Sequence, residues 1–140
     1  MTVPTILLPV FVLIAMTFML SFWMGYERSR SIRSRQVRMK DVALSKEAWP
    51  DRPKQISNSY HNQYELPVLF YVLVAFALLT RKADLVFVVL SWVFVVSRVL
   101  HMLIHTTSNR VPQRFAVYVV GLFALVILWV YFAFQILTGA

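Results

Sequence analysis

Read for its hydrophobic and polar positions, the chain divides into four long apolar runs separated by short charged stretches. An α-helix needs ~20 mostly apolar residues to cross the ~30 Å hydrocarbon core of a bilayer. The first run, 3–26, carries no charge before Glu27. It has no basic leading segment and exceeds the apolar stretch of about 7–15 residues in a signal peptide, so it reads as a retained first helix. The second, 59–80, is polar at its start and wholly apolar from Pro67 onward. The third, 85–105, follows the short turn Arg81-Lys82-Ala83-Asp84, and the fourth, 112–137, opens on Pro112, a residue suited to a helical first turn. The pattern predicts an all-α fold, an integral membrane four-helix bundle forming a single domain over 1–140. A basic loop, 27–58, joins the first two helices, and the last three form an up-down series.

Composition strengthens this reading. The chain is 59% hydrophobic and 14% charged, whereas soluble domains hold about 45–50% apolar and about 25% charged residues. The placement of charge then gives an orientation. The 27–58 loop carries Arg28, Arg30, Arg33, Arg35, Arg38, Lys40, Lys46, Arg52 and Lys54, and Arg110 and Arg114 fall on the same side. The opposite side offers Arg81 and Lys82. Under the positive-inside rule the basic loop and residues 106–112 lie in the cytoplasm and both termini lie outside. The net charge of +8 is then accounted for by orientation and by anionic lipid headgroups, and it calls for no nucleic acid. The chain has no cysteine, so disulfides, thiolate nucleophiles and cysteine-ligated metals are excluded. Any thiol chemistry must bring its sulfur with a ligand.

The informative residues are those that break the membrane pattern, because ionisable groups inside a bilayer are costly and tend to face the bundle interior. Asn58, Asn62 and Glu65 share one helical face; Arg98, His101 and His105 form a second stripe, and Arg114, Tyr118 and Gly121 a third. All three stripes fall at the same end of the bundle. Arg98 and Glu65 lie at matched depth, so a direct ion pair between them is expected. Pro67 cannot donate to the Gln63 carbonyl, which frees an acceptor beside the stripe. His101 and His105 have metal-ligand spacing but no evident third ligand, so no metal is expected. Plainer readings exist: a Glu65–Arg98 pair that only fixes helix register, and tyrosines and tryptophans that only anchor the interface. They do not explain why three helices place polar groups at one end, which a ligand pocket does.

These residues carry a resemblance. His61-Asn62-Gln63-Tyr64-Glu65-Leu66-Pro67 is similar to the Asn-x-x-Glu-x-x-Pro region of the MAPEG family (membrane-associated proteins in eicosanoid and glutathione metabolism), with the proline offset by one residue. Ser97 to His101, then Arg110 to Arg114 and Tyr118, resemble the family's third helix and the start of its fourth. The resemblance implies a homotrimer with glutathione bound between neighbouring subunits at the cytoplasmic face. It matches Arg38, Asn62, Glu65, His101, Arg114 and Tyr118 to positions that contact glutathione. Arg98 matches the arginine that braces the site, and Arg114 the catalytic arginine near the thiol. Two positions depart from the pattern: Asn58 stands where an arginine is usual, and Phe115 where some members carry a serine. The helix-two and helix-three motifs resemble the bacterial branch, which implies a bacterial inner membrane.

The leading expectation is a membrane-bound glutathione-dependent transferase or peroxidase acting on small lipophilic electrophiles. The alternative is a non-catalytic MAPEG-like protein that binds a lipid or an anionic metabolite. A proton or ion pathway through Glu65, Arg98 and the histidines is a third class, weakened because these polar groups occupy only one end of the bilayer.

Overall fold

The computed structural model describes all 140 residues. Its helices are α1 (Val3–Arg33), the short α2 (Met39–Val42), α3 (Asp51–Asn62), α4 (Leu66–Thr80), α5 (Leu85–Thr106) and α6 (Val111–Thr138), with a 3₁₀ turn over Lys46–Ala48. There is no strand. Four helical stretches are long and apolar enough to cross a membrane: α1, α3 and α4 taken together, α5 and α6.

α1 begins on Thr2, whose hydroxyl accepts from the Thr5 N–H, and has proline in its first turn. Its 31 residues span roughly 46 Å at 1.5 Å per residue, well beyond the hydrocarbon core. The helix expected to end at 26 therefore continues to Arg33. Nothing from Glu27 to Arg33 is glycine or proline, and Arg30 and Arg33 complement the partial negative charge at its C-terminal end. The Ser31 hydroxyl donates back to the Glu27 carbonyl (2.9 Å). The stretch 27–58, expected as a loop, is thus mostly helical.

The single helix expected over 59–80 is two helices. Pro67, in the first turn of α4, has no N–H to give to the Gln63 carbonyl, and its ring crowds that carbonyl. The chain relieves this by ending α3 at Asn62 and kinking through 63–65, with Glu65 far from helical geometry (φ −99°, ψ −106°). Gln63 closes the stranded end of α3 by donating its side-chain amide to the Ser59 carbonyl (3.2 Å). α3 folds against the end of α1, where Arg52 lies over the Trp23 ring and Arg28 over Trp49.

At the far end, Arg81 closes α4 in the left-handed conformation (φ 57°), and the Lys82 N–H donates to the Ala77 carbonyl. Asp84 then caps α5 by accepting from the Phe87 N–H (3.0 Å). The core runs along the bundle through Leu13, Leu20, Phe70, Leu73, Phe94 and Leu128, with the Phe70 and Phe94 rings 5.0 Å apart. Phe11, Phe22, Leu79, Val130 and Leu137 point outward, as lipid-facing side chains do.

Candidate functional site

The three polar stripes meet in a cavity of about 400 Å³ lined by Asn58, His61, Asn62, Glu65, His101, His105 and Arg114, with no hydrophobic residue among them. α3 and the break supply one wall, α5 the second, and Arg114 near the start of α6 the third.

Asn62 is the hub. With its amide nitrogen toward the Glu65 carboxylate it donates to Oε2 (3.2 Å), while its oxygen accepts from the Arg98 guanidinium and from His101 Nδ1 (3.2 Å). This orientation matches every neighbour, because a guanidinium offers only donors and a carboxylate only acceptors. The expected Glu65–Arg98 ion pair is not formed. Asn62 stands between the two groups, and the kink leaves Glu65 exposed at the cavity wall. Depth along two helices fixed their level correctly. Their direction was set by the break, which a continuous-helix reading did not contain.

Arg98 lies behind this wall, 1% exposed, with its guanidinium 5.9 Å from the centre of the Tyr118 ring. Its Nε and Nη1 have no hydrogen-bond partner, and neither does His105 Nδ1. The His101 ring packs edge-on against His105 (5.6 Å) and at 6.1 Å from Tyr118. No cluster of three metal-ligating side chains forms around the two histidines. Arg114 is half-buried and is held by the Asn109 side-chain oxygen (2.5 Å), itself on a residue with positive φ (52°) in the turn before α6.

α3 also completes the site from below. Arg52 donates to the Thr106 carbonyl (2.6 Å) and Gln55 to the His105 carbonyl (2.8 Å). These satisfy acceptors that the end of α5 would otherwise leave open. Asn62, Glu65, His101 and Arg114 therefore line the cavity, and Arg98 and Tyr118 back it. Arg38 does not join them: it is exposed at the start of α2 and pairs with Asp41 (3.2 Å). Phe115 is 64% exposed and turned outward. Of the residues that line the cavity, Asn58 and His105 were read only as members of the polar stripes, and His61 was in no stripe. The signal for His61 was present, since it lies three residues after Asn58 and four before Glu65 and so on the same stripe.

Four membrane-length apolar helices enclosing a polar cavity at one end define an integral, multi-pass membrane protein with lipid-contacting outer faces. The sequence profile of the MAPEG family matches residues 6–134, and the chain belongs to that family. Comparison with curated proteins and with solved structures gave no match.

Proposed function

We propose that the chain is a membrane-bound, glutathione-dependent transferase or peroxidase acting on lipophilic electrophiles, assembled as a homotrimer with its basic end in the cytoplasm. The observation that carries this reading is the Asn62 hub: a buried guanidinium, an amide, an imidazole and a carboxylate joined in a wholly polar cavity at the membrane face. The positive charge of Arg114 at the cavity and of Arg98 behind its wall fits an anionic, hydrogen-bond-rich ligand. Glutathione offers two carboxylates for guanidinium groups and an ammonium for Glu65. When bound, it supplies a thiol nucleophile.

Arg114 is the residue assigned to the thiol. A guanidinium beside a thiol favours its ionised form and lowers its pKa. Asn109 positions that guanidinium from the α5–α6 turn. Arg98 braces the wall, and His101 and Tyr118 close it from α5 and α6. An apolar groove of about 550 Å³ runs along the same α5–α6 seam, past Val96, Leu100 and Val117. It gives a lipophilic substrate a route from the bilayer.

A second reading has its own support. Asn58 lines the cavity where the family resemblance leads one to expect an arginine, and Phe115 offers no hydroxyl beside Arg114. Both suit a non-catalytic member that binds a lipid or an anionic metabolite. Calorimetric titration with glutathione and the ultraviolet band of the thiolate separate the two. The enzyme reading expects binding with a thiolate band at neutral pH, and Arg114→Ala abolishes the band and turnover while binding largely persists. Binding without a band supports the non-catalytic reading, and no binding at millimolar glutathione refutes a glutathione site.

A further inference from the structure

The kink between α3 and α4 has two faces. One presents His61, Asn62 and Glu65 to the candidate site; the other presents Tyr60, Gln63 and Tyr64 to a separate cavity against α1. The two cavities share no lining residue. The second measures about 270 Å³. Its apolar surface comes from Ile14, Phe18 and Val68. The Tyr60 and Tyr64 hydroxyls are hydrogen-bonded to each other at its edge (2.9 Å).

Two polar groups in this cavity lack partners. Gln63 is 2% exposed, and with its amide nitrogen committed to the Ser59 carbonyl its Oε1 has no donor. The Tyr71 hydroxyl is also buried without a partner. Thr17 lies beside it; its hydroxyl donates to the Leu13 carbonyl (2.9 Å), and its oxygen keeps a lone pair free to accept. A buried acceptor without a donor is costly, and more so among hydrocarbon. A single water would meet Gln63, yet the cavity holds roughly nine times the ~30 Å³ that a water occupies in the liquid, and part of its wall is apolar.

We propose that this cavity is a second binding site, independent of the glutathione reading, for a lipid-soluble alcohol or phenol. The ligand's hydroxyl donates to Gln63 Oε1 and meets the Tyr71 hydroxyl, and its carbon skeleton lies on Ile14, Phe18 and Val68. The chemistry requires one donor on a compact apolar body. It does not suit a charged headgroup, because no cationic or anionic side chain lines the cavity.

The test is photolabelling of the full chain in lipid nanodiscs with a diazirine-bearing long-chain alcohol, mapped by mass spectrometry. Label is expected on α1 and α4 within the cavity, displaced by decanol and not by decane. Gln63→Leu, checked for folding by circular dichroism, should reduce cavity labelling about ten-fold, the effect of losing roughly one well-placed hydrogen bond. Tyr71→Phe removes only a hydroxyl; it should weaken displacement by decanol several-fold, and it carries the test if Gln63→Leu does not fold. Arg114→Ala should leave labelling unchanged. Displacement by decane as strong as by decanol would make the cavity a plain apolar groove. Absence of label would leave it to water, and labelling indifferent to Tyr71→Phe and to folded Gln63→Leu would remove the assigned contacts. A loss of label in Arg114→Ala would end its independence. Each of these overturns the proposal.

Discussion

Asn62 shows how much one side chain can organise in a low-dielectric bundle. It gives a buried guanidinium an acceptor, orients His101, and ties the pair to Glu65 at the cavity wall. Replacing it with leucine leaves Arg98 with no hydrogen-bond acceptor in a site that is 1% exposed. An unsatisfied buried polar group costs about 1–3 kcal/mol, and a charged one more. Asn62→Leu should therefore lower stability by at least ~2 kcal/mol in a denaturant titration in detergent. Adding Arg98→Leu should recover part of the loss, since the stranded charge is then gone. A double variant less stable than the single one would show that Arg98 holds the fold by contacts other than Asn62. At this scale the sequence was legible where stripe periodicity applied: Asn62, Glu65, Arg98, His101, Arg114 and Tyr118 sit at one end of the bundle as their spacing requires. It was not legible where a contact depended on the kink, as for Glu65 and Arg98, or on a turn residue such as Asn109, whose grip on Arg114 needs the turn's geometry.

Between elements, α5 and α6 meet closely at Gly121. A Cβ added there would come within 2.5 Å of Ser97 Oγ but 3.5 Å from Ser97 Cβ. Ser97 cannot rotate its hydroxyl away without losing its bond to the Phe94 carbonyl (2.6 Å). Gly121→Ala should cost about 1–3 kcal/mol, the usual price of overpacking. Gly121→Ala with Ser97→Ala should be more stable than Gly121→Ala alone, and a double-mutant cycle measures the coupling. Additive losses would disprove the clash. The far-end turn makes a prediction of different character. Burial pushes the Asp84 carboxyl up, but hydrogen bonds from Tyr131, the Phe87 N–H and Gln135 outweigh it and hold the carboxyl below its ordinary value. A carboxyl whose pKa is lower folded than unfolded adds stability above its unfolded pKa of about 3.9, and that stability is lost as pH falls through the folded pKa. Asp84→Ala should thus melt lower than the native chain at neutral pH, with about 1 kcal/mol from the helix cap alone. The gap should narrow below about pH 4; a gap that stays constant into acid would show that the carboxylate's charge plays no part. The four membrane-length stretches were legible because each exceeds what a soluble core needs. The extension of α1 and the amphipathic α3 were not, because a search for bilayer-length apolar runs passes over helices whose burial comes from packing on another helix.

At the scale of the assembly, Arg38 is the residue to explain. The family resemblance matches it to a glutathione contact, yet within one chain it sits exposed beside Asp41, outside the cavity. The cavity is meanwhile open, and behind its wall two nitrogens of the Arg98 guanidinium have no partner. Both facts suit a trimer in which one subunit's α1–α3 connection covers the next subunit's cavity, so that Arg38 and Arg114 meet across an interface. Glutathione binding and turnover then serve as the reading of a complementation test. Arg38→Ala and Arg114→Ala should each be defective alone. If the chain assembles as the proposed trimer, co-expression in equal amounts gives mixed trimers in which each site takes its Arg114 from one subunit and its Arg38 from the neighbour. In a cyclic trimer with random mixing, about a quarter of the sites then contain both native arginines. Activity near a quarter of native is the expected result, reached only when the two variants share a trimer and not when separately purified trimers are combined. If both arginines served a site within one subunit, no mixed trimer would hold a complete site, and co-expression would restore nothing.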